Sequence, residues 1–449
     1  MGFRAKVVSV ATDGVEGARY LERFPAMASP DFRRLFVNGF FTTGSRWTQV
    51  LARGWLVHDL SDGSTSAVGW VTFASFIPFV VVGPIAGAIA DRFDRRRLLI
   101  AGTVFGLIGA IFLAAITIAD VVKVWHVIAL AFATGAAQAA TVPTRQALIA
   151  NVVPKEHLLN AVALGGISRH GSRVVGPLFG AALLARLGPG SVFIFSAVLL
   201  VLGLIEAIRV QYRSVVEPLT SAESGQPTRV VDEMRNLAAD LGHAARYVRR
   251  DRRLVTVIGL VAAHCSFTMS FDSMMPAMAD KIGGGSTLYS SILVSLGAGA
   301  IVGTLWVSQL HAERTRGTMF ALMGLGSGLA MVLMGFAETP FVVIAAAALA
   351  GLTQASYMTM SATLVQSIVT DEFRGRVMSV YIMIAAGHMA ILNLGYGRTA
   401  EVIDVRLLLA VPGLLWLAVF AVAMGLVPGV RSLVRRGQFA SMEPVLAAV

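Results

Sequence analysis

Runs of about twenty apolar residues recur along this chain, each closed by polar or charged punctuation, and nothing else in the sequence narrows the possible folds as far. Inside hydrocarbon a backbone must satisfy its own N–H and C=O groups, so such runs predict α-helices that cross a bilayer. Composition agrees. Apolar residues make up 56% and charged residues 14%, against about 25% charged in a soluble domain, and the mean hydropathy is +0.72. A length of 449 residues would otherwise suggest roughly three soluble domains, but the runs recur too regularly for that.

Twelve spans are expected. In the first half they lie at approximately 35–58, 66–90, 98–118, 124–148, 160–185 and 190–209, and in the second at approximately 254–277, 286–310, 318–336, 340–366, 376–397 and 405–427. The fold class expected is an all-α membrane protein of two six-helix halves. Residues 1–30 form an N-terminal segment, 31–210 the first half, 211–253 a linker, 254–428 the second half and 429–449 a tail. Near the start, Arg4, Lys6, Arg19 and Arg23 flank no apolar core of the usual ~7–15 residues, so no cleavable signal is read and the first helix acts as its own insertion signal.

The net charge of +11 does not point to nucleic acid, because the basic residues sit in short clusters between apolar runs. With the N-terminus inside, about 28 of the Lys and Arg residues fall in inside segments and roughly five outside. Both termini are therefore expected in the cytoplasm, with the protein multi-pass in the cell (inner) membrane. The single cysteine, Cys265, lies in an apolar run, which excludes an intrachain disulfide and a multi-cysteine metal site; it is read as a packing residue. In the linker, Val231, Met234, Leu237, Ala238, Leu241 and Ala244 recur at helical spacing and end in Arg249-Arg250-Asp251-Arg252-Arg253. That describes an amphipathic helix on the membrane face or against the bundle, serving as a tether or as a contact for anionic lipid.

The halves repeat. Asp31 and Asp251 open the first and seventh helices, Asp91-Arg92 and Glu313-Arg314 follow the second and eighth, and Pro154-Lys-Glu156 and Thr370-Asp-Glu372 precede the fifth and eleventh. The offsets all lie near about 220 residues, the mark of a duplicated unit.

At the end of the second span the chain reads Gly87-Ala-Ile-Ala-Asp91-Arg92-Phe-Asp94-Arg95-Arg96-Arg97. Gly87 permits close helix approach, and the arginines hold the loop on the inside. This resembles the signature loop of the major facilitator superfamily, with Asp94 where the family often has glycine. Trp47-Thr-Gln49, Gly54-Trp-Leu-Val57, Pro143-Thr-Arg145-Gln-Ala-Leu148 and Arg246-Tyr-Val-Arg-Arg-Asp251 are similar to the drug- and siderophore-exporter branch, which includes enterobactin exporters. The resemblance covers about Asp31 to Gly429. It implies the major facilitator fold and transport, with Gly87, Asp91, Arg92, Arg95 and Arg96 as a conformational latch. In the fifth span, Arg173-Val-Val-Gly176-Pro177-Leu-Phe-Gly180 looks like the glycine-proline motif of the superfamily's antiporters, although Ser172 stands where that motif has glycine and Gly171 is one position away. Its plainer reading is a packing kink.

Charges within spans cost roughly 2.5–3.5 kcal/mol each, so they face a cavity or a partner. Arg46 and Arg53 share one helix face, as do Arg169 and Arg173. The resemblance implies that the first helix lines the central cavity and the fifth flanks it. Arg173 matches an arginine usual in the branch; Arg46, Arg169 and His170 do not, which points to substrate. The carboxylates in spans are few, Glu206 and Asp272, so an anionic or amphipathic substrate is expected. Coupling needs a titrating group, and Asp272 is the first choice, ahead of His170, His264 and His388. In the second half, Gln354, Tyr357, Tyr381, His388 and Asn393 are candidate hydrogen-bonding partners, and Met269, Met274, Met275 and Met278 a soft surface. Ordinary packing is the alternative for each.

The reading is a secondary transporter that exports a small molecule in exchange for protons. It is expected to be a monomer in the bilayer, with no cofactor, metal or nucleic acid. The alternatives are a metabolite-uptake symporter of the same fold and a non-transporting membrane sensor. No G-x-x-x-x-G-K-[ST] loop is present, so ATP is not the drive, and no enzyme is expected.

Overall fold

The computed structural model describes residues 24–92, 94–212, 230–309 and 313–436. The first half holds α1 (Pro30–Leu60), α2 (Thr65–Arg92), α3 (Arg95–Ile118), α4 (Val124–Val152) and α5 (Leu158–Arg209). A linker helix α6 (Val230–Arg250) follows. The second half holds α7 (Arg252–Thr268), α8 (Met275–Lys281), α9 (Gly285–Ser308), α10 (Glu313–Gly335), α11 (Pro340–Ile368), α12 (Asp371–Thr399) and α13 (Val405–Leu426), closed by a short α14 (Pro428–Arg436).

Among the described residues, ten helical segments qualify as membrane spans by length and apolarity. The expected twelve differ for two physical reasons. At 31 residues α1 is long enough, but the face bearing Asn38, Arg46, Gln49 and Arg53 makes it too polar to qualify. The 52-residue α5 is broken at Gly188, whose φ of 73° and ψ of 178° are open essentially to glycine alone, and Pro189 restarts the helix. With α1 admitted and α5 divided there, ten becomes twelve. Large side chains such as Ile108, Ile111 and Phe112 on α3 and Leu414 and Val422 on α13 stand exposed, as lipid, not water, requires.

The duplication in the sequence reappears in the packing. In the first half α1 lies along α5, α2 along α4, and α3 along both α4 and α5; in the second, α7 along α12, α9 along α11, and α10 along both α11 and α13. The halves meet most extensively where α2 lies along α12 and α5 along α9. Glycines set the closest approaches. A Cβ on Gly135 of α4 would meet the Ser75 carbonyl of α2 at 2.8 Å, and the equivalent pair in the second half is tighter still, Gly351 against the Leu296 carbonyl and Gly299 against that of Ala348. The paired aspartates both accept from backbone N–H groups, but in different places. Asp31 accepts from the backbone N–H of Gln211 and Tyr212, and Asp251 caps α7 through the N–H of Arg253. The linker forms the amphipathic helix expected and packs on α2, α7 and α12, with Tyr247 stacked on Phe373 at 4.6 Å.

Candidate functional site

The end of the bundle away from the termini is closed by contacts between the halves. Trp55 of α1 stacks on Tyr289 of α9 at 6.2 Å, and His58 Nε2 lies 2.6 Å from Asp280 Oδ2. Glu401, in the turn after α12, accepts from Ser64 Oγ at 2.7 Å and from the Ser66 N–H at 2.8 Å at the start of α2. Arg398 covers the Trp70 ring at 5.1 Å. Beneath them one apolar cluster runs through both halves, including Leu51, Val57, Val71, Met275, Met278 and Ile292. The Ser66 N–H, joined by Ser64 and Thr65, holds the Glu401 carboxyl below the usual carboxylate range. A group depressed in this way supports the contact above its ordinary range and ceases to as pH falls through the lowered value. Acid at this end is therefore expected to part the halves, lengthening the spin-label distance between Leu60→Cys and Val402→Cys. Glu401→Gln should remove that pH dependence; an unchanged pH profile in the variant would take Glu401 out of the closure.

Below the closure lies a cavity of about 390 Å³ that reaches from Tyr289 down to Phe32 and Leu35 in the first turns of α1. Five arginines line it: Arg46, Arg53, Arg145, Arg169 and Arg173. Asp272 is the single carboxylate among the described lining residues. Arg53 is 6% exposed and donates to Gln49 Oε1 at 2.5 Å and Thr134 Oγ1 at 3.1 Å, while its Nε finds no partner. Arg145 donates to Thr42 Oγ1 at 2.8 Å. Arg46 lies over Phe76 and Phe79, 5.8 and 5.3 Å from the ring centroids, and Arg173 over Trp47 at 4.3 Å. Neutral hydroxyls and ring faces orient these cations without cancelling their charge.

Asp272 owes its place to a broken helix. The chain leaves α7 at Thr268 and resumes at Met275, with Asp272 opening a 3-10 turn between. Such a break in a span survives only when side chains take over the freed backbone groups. Gln354 Nε2 donates to the Thr268 carbonyl at 2.6 Å, Tyr396 to that of Ser266 at 3.1 Å, and Asn393 Oδ1 accepts from the Ser273 N–H at 3.1 Å. Asn393→Leu leaves that N–H buried without a partner, at a cost of about 1–3 kcal/mol. A lower melting temperature in detergent is expected, and a wild-type melting curve would show that the break is held by something else.

Of the residues singled out in the sequence, Arg46, Arg53, Arg169, Gln354 and Asp272 meet in the cavity. Three expectations are corrected. Tyr357 is 0% exposed, packed against His264, Phe320 and Phe420. It faces the interior of the second half because it fills the gap between α7, α10 and α13. His264 is sealed in the same aromatic cluster, with Trp416 at 5.0 Å. His388 does not line the cavity; its Nδ1 turns back to the Ile384 carbonyl at 2.7 Å. The side chains of His170, Gly87, Asp91 and Arg92 lie outside the described residues. Arg96 donates to the Ile208 carbonyl at 2.5 Å, and Asp94 caps α3 through the Arg96 N–H, which accounts for an aspartate at that position. In the fifth-span motif, Pro177 is buried and Gly176 sits against the Gly44 carbonyl of α1. Met269 lines the cavity, while Met274, Met275 and Met278 fill the apolar plug. Tyr381 is buried and donates to the Met358 carbonyl.

Arg145 was legible as an arginine inside the fourth span but reads more readily as part of a motif at its end. The closure of His58, Asp280 and Glu401 carries no sequence signal, since its members come from three distant segments.

Two like-built six-helix halves enclosing one charged cavity define a multi-pass membrane transporter. The chain belongs to the transmembrane secretion effector family of the major facilitator superfamily, whose model matches residues 23–445. It is 21% identical to macrolide efflux protein A of Streptococcus pyogenes, over 71% of this chain and 76% of that one. It is also 21% identical to the staphyloferrin A transporter of Staphylococcus aureus, over 78% and 84%. A 24% identical stretch shared with the MFS-type transporter YfiS of Bacillus subtilis spans 35% of that protein. Among solved structures, a POT family transporter in complex with a thioalcohol conjugated peptide matches with a TM-score of 0.70 at 12% identity, over 89% and 96% of the two chains. The superfamily membership expected from the loop at Gly87–Arg97 is met.

Proposed function

We propose that this protein exports an anionic or amphipathic small molecule, such as a siderophore or drug, from the cytoplasm by alternating access of the central cavity. The observation that carries the reading is the lining of five arginines against one aspartate. An interior-negative potential drives an anion outward by about 2.3 kcal/mol per charge per 100 mV, which favours export over uptake. Arg46, Arg53 and Arg169 bind substrate, and Gln354 supports the site from the second half. The halves 31–210 and 254–428 rock about it, latched through Gly87, Asp91, Arg92, Arg95 and Arg96, while the helix-5 motif of Arg173, Gly176, Pro177 and Gly180 keeps α5 close to α1. The basic loops support cytoplasmic termini in the inner membrane, so the cavity reaches toward the cytoplasm and the closure at Glu401 faces outward.

Asp272 is the proton site: a carboxylate on the cavity wall, within electrostatic reach of Arg46 and Arg173. That neighbourhood also supports a second reading. A proton on Asp272 frees both arginines for an anion, so proton and anion bind together, as in an uptake symporter of this fold. Proteoliposomes with an imposed pH gradient separate the readings. Transport accelerated by acid on the side opposite the substrate identifies exchange, and acceleration by acid on the same side identifies co-transport. Insensitivity to either gradient removes protons from both.

A further inference from the structure

The cavity arginines fall into tiers. Arg169 and Arg173 are four residues apart on α5, about 6 Å along the axis. On α1, which runs alongside, Thr42 and Arg46 are also four apart, and Thr42 holds Arg145. Arg145 and Arg169 are within electrostatic reach of each other, and so are Arg46 and Arg173. The backbone positions that carry or hold these two pairs are thus about 6 Å apart along the axis, with that of Arg53 about 10 Å beyond Arg46 toward the closed end.

The protein answers these tiers unequally. Asp272 faces the tier of Arg46 and Arg173. Among the described residues no lining carboxylate faces Arg145 and Arg169, and Arg46, Arg169 and Arg173 make no hydrogen bond or ion pair. A guanidinium stacked on a ring, like Arg46 or Arg173, keeps its N–H fork open at the edge for an oxyanion. One molecule with two anionic groups gains over two separate anions, because its second attachment is intramolecular.

We infer that the transported compound carries at least two anionic groups, carboxylate or phosphate, about 6 Å apart, one held by Arg46 and Arg173 and the other by Arg145 and Arg169. This rests on the reading of the cavity as the transport site. A monoanion fills one tier only, and a cation meets a wall of its own sign.

Calorimetric titration of the full-length protein in detergent tests it, with hexanoate, malonate, adipate and butane-1,4-bisphosphonate as probes. Adipate or the bisphosphonate, both long enough to bridge the tiers, is expected to bind at least about tenfold tighter than hexanoate or the short dianion malonate. Arg169→Gln should erase most of that advantage. Bridging probes no tighter than hexanoate, or an advantage that survives Arg169→Gln, would overturn the inference. Tight adipate binding without transport in proteoliposomes keeps the two-tier site and removes the transport reading. Transport of a neutral or cationic compound, abolished by Arg46→Ala and accompanied by no adipate binding, does the reverse.

Discussion

Gly351→Leu is expected to leave little folded protein, read as loss of the monodisperse peak in detergent size exclusion. At this crossing the backbones of α9 and α11 touch: Gly351 meets the Leu296 carbonyl, and Gly299 meets that of Ala348. Overpacking in an ordinary core costs about 1–3 kcal/mol because neighbouring side chains can turn aside. Here the obstacle is backbone at two points, so the helices must part along their length, and α11 carries Gln354 away from the break that positions Asp272. Gly259→Leu is the control. Gly259 is an exposed glycine of α7 with open space around its Cβ position, and a leucine there should be harmless. Equal behaviour of the two variants would mean that this crossing is not close-packed in the membrane.

Arg46→Ala is expected to show the opposite profile, with transport lost and the fold intact. Among the described residues Arg46 makes no hydrogen bond; its contacts are the rings of Phe76 and Phe79, so its removal strands no buried acceptor. It also takes one cation from a crowded positive wall, which leaves stability equal or slightly higher. Against substrate, losing one partner of a desolvated charge pair costs about 2–5 kcal/mol, a fall in affinity of roughly thirtyfold or more. Transport in proteoliposomes at equal protein density measures it. Rates within a factor of about two of wild type would take Arg46 out of the substrate path.

Much of the architecture is legible in the sequence. Apolar runs must become helices in lipid because nothing else satisfies the backbone there, and the near-constant offset between Asp31 and Asp251 announced the repeat. The site was legible in part. Arg46, Arg53 and Arg169 stood out because a cation inside a span needs a reason, and the cavity supplies one. The same logic failed for Tyr357 and His264, since an aromatic or a histidine on a helix has packing uses as common as polar ones. It also passed over Gln354 and Asn393 as supports of a broken helix, because hydrogen bonds to freed backbone groups join residues with no fixed spacing in the chain.

The sequence by itself determined the solvent, the recurrence of membrane-spanning helices and the excess of positive charge within them, since each follows from local composition and length. Only the tertiary structure decided which end is shut, that Arg145 joins the other four arginines, and that Glu401 reaches Ser66. Those facts depend on which helix faces touch, and faces are chosen by close packing at glycines such as Gly135 and Gly351, summed over the whole bundle.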